Sequence, residues 1–280
     1  MTAPARPGLA ARPYLAALRA RFYLTLQYRA AALAGLTTQC WWGVMKILVL
    51  AAFYRGAPHQ PMSLGQAVGY TWLGQAFLVM LPWNADPDVV EMVRSGAVAY
   101  ERLRPVDTYA YWYVRALAWM AARVLPRAVP MFLIAAVVLP LTGLGAWSLP
   151  PPPDWPAAVL FTISIICAAL LSTAMVQLVT GVVVATLSAK GANAIAPALS
   201  NILSGGIVPL LLFPAWMRLG LFLQPFAGLV DIPFRIYLGQ LAGAGAAAGI
   251  GLQLAWTAVL VLVGRGFLAH SLERLQVQGG

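Results

Sequence analysis

Long apolar runs separated by short basic clusters dominate this chain. After a first stretch in which arginine recurs every few residues, six apolar runs follow, at approximately 31–54, 64–83, 112–141, 157–186, 192–213 and 244–269. Roughly 20 apolar residues make a helix that crosses a hydrocarbon core about 30 Å thick, so each run predicts a transmembrane helix. Between the last two runs, residues 214–241 are also apolar, but Pro225, Gly228, Pro233 and Gly239 interrupt them. Backbone broken that often cannot face lipid, where no water replaces an unmade hydrogen bond. The pattern predicts two short helices dipping back into the outer leaflet, an outer re-entrant helical hairpin over residues 204–239. Near the start, within residues 10–29, Leu15, Leu18, Phe22 and Leu26 share one face of a helical wheel, flanked by Arg19 and Arg21. This is the pattern of an N-terminal interfacial amphipathic helix with arginines reaching to headgroups; a plain basic extension is the alternative. No apolar stretch with a small-residue cleavage site precedes it, so no cleaved signal peptide is expected. The expected fold class is an all-α membrane protein, one transmembrane domain over residues 1–280 with six transmembrane helices.

Composition agrees with this pattern. Of the 280 residues, 61% are hydrophobic and 9% charged, whereas a soluble domain carries roughly 25% charged residues. Too few polar side chains remain to cover a water-soluble globule. The net charge of +10 sits between apolar runs, which suits topology signals and contact with anionic membrane lipid; no nucleic-acid partner is expected. One set of run ends holds Arg6, Arg12, Arg19, Arg21, Arg29, Arg94, Arg102, Arg104, Arg115, Arg123, Arg127, Lys190, Arg265 and Arg274. The other holds only Arg55, Arg218 and Arg235. The asymmetry predicts both termini in the cytoplasm. The third run is longer than a bilayer needs, so residues 113–122 are expected to project below the membrane. Arg123 and Arg127 then lie at the inner headgroups, where Pro126 and Pro130 are expected to kink the helix.

Candidate chemistry inside the runs is sparse. The acidic residues are Asp86, Asp88, Glu91, Glu101, Asp107, Asp154, Asp231 and Glu273. None falls in a complete run, and only Asp231 reaches membrane depth, which disfavours a proton-coupled carrier. His59 lies in a short outer loop and His270 at the end of the last run, Cys40 and Cys167 lack metal or disulfide spacing, and no phosphate-binding loop or GxSxG elbow occurs. No catalytic residue, metal or cofactor is expected. Gly243, Gly245 and Ala248 fit a relaxed dinucleotide fingerprint in the wrong context, so Gly245 and Gly249 read as a small-residue packing face. Lys46, the one cation well inside a run, either lines a path or snorkels to the outer surface; the second reading is the simpler.

The information-rich segment is residues 84–111, the most polar in the chain. Asp86-Pro87 reads as an N-cap and first helical residue, Asp88 and Glu91 suit the positive end of the helix dipole, and Ser95-Gly96 ends the helix. A solvated hairpin would not need Val89, Val90, Met92 and Val93, so the segment reads as a handle for another protein. Here the chain resembles a family. Glu91-Met92-Val93-Arg94-Ser95-Gly96, followed by Leu103-Arg104-Pro105-Val106, is similar to the "E-I-R-x-G … L-x-R-P" loop of bacterial ABC-2-type permeases. Leu203-Ser204-Gly205-Gly206-Ile207-Val208-Pro209-Leu210, with Phe213-Pro214, Trp216 and Pro225-Phe226, resembles that family's fifth span and outer hairpin. Val277-Gln278-Gly279-Gly280 and Gln27-Tyr28-Arg29-Ala30 add two shorter matches in the expected order.

The resemblance implies an ABC-2, type V exporter-like subunit in a bacterial inner membrane. Its partners would be a cytoplasmic ABC ATPase and a second permease subunit, identical or different, in a bilayer. It implies an ATPase-coupling loop at Asp86, Asp88, Glu91, Arg94, Gly96, Arg102, Arg104 and Pro105. It implies an outer gate at Gly205, Pro209, Pro214, Trp216, Phe222, Pro225, Phe226, Asp231 and Arg235. Export of a lipid, drug or lipid-linked glycan is the implied direction, and the departure from better-known members is the lack of a large outer domain. The alternative is a stand-alone secondary carrier or channel.

Overall fold

A computed structural model describes residues 11–27, 29–56, 60–101 and 104–274. Arg6, Tyr28, His59, Arg102, Leu103 and the stretch 277–280 lie outside the described residues. The described regular structure is all helical: α1 (Arg12–Leu26), α2 (Arg29–Gly56), α3 (Leu64–Ala76), α4 (Pro87–Arg94), α5 (Thr108–Leu133), α6 (Trp155–Thr186), α7 (Lys190–Leu203), α8 (Ala215–Leu223), α9 (Asp231–Tyr237) and α10 (Gly243–Arg274). Among the described residues, four helical stretches are long and apolar enough to cross a membrane: Ala32–Gly56, Thr108–Leu141, Trp155–Thr186 and Gly243–Arg274.

The other two apolar runs fold differently from a plain span. The run over 64–83 gives α3, then a 3-10 turn at Leu78–Met80 and an extended strap leading to α4. At about 1.5 Å per residue α3 is only about 20 Å long. Its run is apolar because protein surrounds it: Ala67, Val68, Leu73 and Ala76 are almost wholly buried. Ser63 and Gln66 close its first turn as a capping box, and the Trp72 indole N–H donates to the Trp147 carbonyl at 2.7 Å. The run over 192–213 gives α7, also about 20 Å long, then a break at Gly205 (φ 85°) and a 3-10 turn at Leu210–Leu212.

In α5 the helix runs unbroken through Pro126 and Pro130. The irregularity falls later, as a π turn over Ile134–Val138 just ahead of Pro140. A proline clashes with the carbonyl four residues before it, and a wider turn accommodates it.

Packing centres on α6, which touches α10 along much of its length and also α5, α9 and α4. Gln253 of α10 locks this junction: its Nε2–H donates to the carbonyls of Gly228 at 2.7 Å and Ser164 at 3.0 Å, while its Oε1 accepts from the Ser164 hydroxyl at 2.9 Å. The small-residue face of α10 is Ala246 and Gly249, both buried, with Gly245 exposed. Gly249 is required to be small because a Cβ there would meet Ile232 at 2.8 Å. The expected face is therefore displaced from Gly245, which points away from the neighbouring helices.

One end of the bundle gathers α4, the start of α5 and the far ends of α6 and α10; it is called the basic end below. A second apolar cluster ties these pieces together through Val89, Val93, Trp112, Val184, Leu268 and Leu272. Helix α1 lies against α5, and Arg21 turns inward to carboxylates of the loop instead of outward as the wheel suggested.

Candidate functional site: a fixed loop, an apolar groove and a buried carboxylate

The loop at the basic end has an inner and an outer side. Asp86 is the N-cap of α4, its carboxylate accepting from the Asp88 N–H at 2.9 Å. Its own N–H donates to the Thr180 hydroxyl of α6 at 3.1 Å, and the preceding N–H, of Ala85, donates to Asn193 Oδ1 of α7 at 3.1 Å. Asp88 Oδ2 bridges two guanidiniums, Arg21 of α1 and Arg115 of α5, each at 2.6 Å. Burial pushes the Asp86 carboxyl above its ordinary range, and the nearby guanidinium of Arg115 opposes that shift. Asp107 caps α5 through Ala110 N–H at 2.8 Å and holds Arg265 of α10 at 2.6 Å. Glu101 takes Arg104 at 3.1 Å and the Trp112 indole N–H at 3.4 Å.

Glu91 and Arg94, by contrast, face outward. Their side chains are 71% and 74% exposed and only loosely paired at 3.7 Å. Ser95 and Gly96 (φ 75°) end the helix exposed, while Arg104 and Pro105 are exposed further along the loop, where Arg104 donates to the Tyr111 hydroxyl at 3.0 Å. The candidate coupling residues thus separate into Asp86 and Asp88, which hold the helix, Glu91, Arg94 and Gly96, exposed on it and at its end, and Arg104 and Pro105, exposed in the loop that follows. Tyr100 belongs with the presented group at 72% exposure; a large exposed aromatic in a polar loop was the signal for it. The anchors Arg21, Arg115, Thr180 and Asn193 have no local signal, because each comes from a distant helix.

From the basic end an apolar groove of about 720 Å³ runs between α6, α7 and α10. Thr186 and Ser188 line its basic end, Val179, Ile195 and Leu260 its flanks, and Pro225 and Phe226 its other end. Its wall α7 is amphipathic and leaves Ile195, Leu199 and Ile202 exposed.

At the opposite end, Asp231 is wholly buried and gathers three donors. The Tyr70 hydroxyl approaches at 3.4 Å, Leu210 N–H at 3.3 Å and Arg235 at 3.3 Å. The Arg235 guanidinium also lies 6.0 Å from the Phe222 ring centroid. Gly205 packs so closely that a Cβ would meet the Tyr70 hydroxyl at 2.6 Å. Of the candidate gate residues, Gly205, Phe222, Asp231 and Arg235 therefore belong to one cluster, and Pro209 directly precedes Leu210. Pro225 and Phe226 face the groove. Pro214 and Trp216 stand apart, Trp216 being 82% exposed. Lys46 donates to the Gly206 carbonyl at 3.0 Å, tying α2 to the break after α7. Among the described residues no group of histidine, cysteine and carboxylate side chains could hold a metal ion.

A family model, described as ABC-2 family transporter protein, matches residues 62–279. The chain belongs to the ABC-2 transporter family. It is an integral membrane protein and a permease-type component of an ABC transporter, a class that lacks an ATPase of its own and associates with a separate one. No curated protein and no solved structure matches the chain.

Proposed function

We propose that this ABC-2 family member is the permease subunit of a bacterial inner-membrane exporter for a hydrophobic or amphipathic substrate, driven by ATP hydrolysed on a separate subunit. The observation that carries the reading is the loop around α4. Its inner side is fixed to α1, α5, α6 and α7, while its outer side leaves Glu91, Arg94 and Gly96 exposed. A docking handle needs both properties, because a rigid attachment passes displacement on to the helices and a free face meets the partner.

In this reading six helices cross the bilayer: α2, α3, α5, α6, α7 and α10. The two short ones, α3 and α7, are completed by irregular backbone that neighbouring protein covers. Residues 204–239 form the re-entrant hairpin, with the Asp231 cluster as its internal tie and Phe226 at the mouth of the groove. Both termini face the cytoplasm, the basic end being the cytoplasmic one. A second permease subunit faces the exposed side of α7, and the apolar groove takes a lipid, a drug or the lipid part of a lipid-linked glycan.

The decisive experiment is charge reversal on the presented face. The combination Glu91→Lys with Arg94→Glu should insert in the membrane as the unaltered chain does, yet lose copurification with the ABC ATPase or its substrate-stimulated hydrolysis. Unchanged copurification together with unchanged hydrolysis would remove the coupling role.

A further inference from the structure

A small cavity of about 20 Å³ lies between α5 and the strap that joins α3 to α4. Trp83 and Asn84 of the strap, Trp119 and Arg123 of α5, and Val176 of α6 line it. Two features of this lining favour an anion. The Arg123 guanidinium stacks on Trp119, 4.2 Å from the ring centroid, and forms no ion pair among the described residues. The Trp83 indole N–H is buried and has no acceptor among the described residues. No carboxylate lines the cavity, and Asp88, at the start of α4, is held by Arg21 and Arg115 at 2.6 Å. A sheltered cation and a sheltered donor without an acceptor each carry a desolvation penalty that an outside anion would relieve.

Depth in the bilayer narrows the class of anion. At 1.5 Å per residue, Arg123 lies about 27 Å along the α5 stretch from its far end at Leu141, and Val176 about 31 Å along α6 from Trp155. Both distances match the ~30 Å hydrocarbon core. If Leu141 and Trp155 mark one face of that core, the cavity lies where headgroups meet it at the basic end. Trp119 is the kind of side chain that settles at this level. The volume has room for about one water-sized atom, which is the size of a single phosphate oxygen.

We propose that this niche binds the phosphate of a membrane phospholipid. One phosphate oxygen accepts from the Trp83 N–H, and the Arg123 guanidinium pairs with the phosphodiester charge. The lipid is then a structural ligand of the strap that carries Asp86, and so of the support of α4. The inference rests on reading α5 and α6 as spans and is independent of ATPase docking.

Native mass spectrometry of the full chain in mild detergent, with any bound ATPase retained, tests it using phosphatidylglycerol as the probe. Arg123→Gln should weaken lipid retention about tenfold and Trp83→Phe, which keeps the shape and removes the N–H, about threefold. Arg55→Gln, on an exposed side chain away from the niche, should leave retention unchanged. In parallel melting curves phosphatidylglycerol should stabilise the unaltered protein and not Arg123→Gln, whereas inorganic phosphate at the same concentration should stabilise neither. Equal protection by inorganic phosphate would replace the lipid with a free anion and overturn the assignment. Should Arg123→Gln fail to fold, undiminished retention by Trp83→Phe overturns it as well. Outside labelling of a cysteine at Ser95 would instead remove the orientation, leaving lipid retention to be judged on its own.

Discussion

Neutralising Asp231 perturbs the most deeply buried charge in the molecule. The carboxylate has no solvent exposure, and its partner Arg235 is 16% exposed. All three donors stand at 3.3–3.4 Å, the long edge of the hydrogen-bond range. Each neutral bond is therefore assigned about 1 kcal/mol and the charged one about 1.5 kcal/mol. Asp231→Asn keeps an acceptor for Tyr70 and Leu210 but leaves Arg235 without a counter-charge, which gives a loss of about 2 kcal/mol. Asp231→Ala removes all three bonds and should lose about 4 kcal/mol. The informative variant is the double one. Asp231→Asn with Arg235→Gln replaces the ion pair by two neutral amides and leaves no buried charge without a counter-charge. It should therefore be more stable than Asp231→Asn alone by about 1 kcal/mol, a positive coupling in a double-mutant cycle. Thermal unfolding in detergent, followed by intrinsic tryptophan fluorescence, reads the order of the variants. A double variant that loses the sum of the two single losses would refute the account, because the two side chains would then act independently.

Asp88→Asn, which releases two guanidiniums from 2.6 Å contacts, should lower stability by about 2 kcal/mol after allowing for its partly exposed carboxylate, whereas Glu91→Gln should leave the melting curve unchanged; equal losses would erase the division between inner and outer sides of α4. Gly249→Ala should cost about 1–3 kcal/mol through the clash with Ile232, and Gly245→Ala, with Leu241 at 3.7 Å as its nearest neighbour, should be neutral; detergent melting curves compare the pair. In a Cys40→Ala/Cys167→Ala background, cysteines at Pro152, Arg218 and Gly239 should react with an impermeant maleimide from outside, and a cysteine at Ser95 only after the membrane is opened; the reverse pattern would invert the topology.

Much of the architecture was legible in sequence because bilayers and helices impose periodic demands. The apolar runs at 112–141, 157–186 and 244–269 correspond to the long helices, and the cap formed by Asp86 and Pro87 starts α4 where the pattern placed it. The contact of Asp231 with Arg235 is local, since residues four apart adjoin on a helix. What stayed hidden depends on partners distant in the chain. Nothing local joins Arg21 to Asp88, or Asn193 to Ala85. Hydrophobicity alone also cannot separate lipid-facing helix from protein-buried helix, which is why the run at 64–83 conceals a helix of 13 residues followed by a 3-10 turn and a strap.

That strap has a mechanical consequence. It is fastened near its start by the Ser172 hydroxyl, which donates to the Met80 carbonyl, and at its end by Thr180 and Asn193. With the Asp86 N–H held by α6 and the adjacent Ala85 N–H held by the first turn of α7, one peptide step joins the root of α4 to a wall of the apolar groove. A hydrogen bond tolerates only a few tenths of an ångström of stretch before it weakens. Any shift of α4 larger than that must either carry the base of α7 with it or break the Asn193 contact. The linkage therefore ties the root of α4 to α7, a wall of the groove, for as long as the Asn193 contact holds.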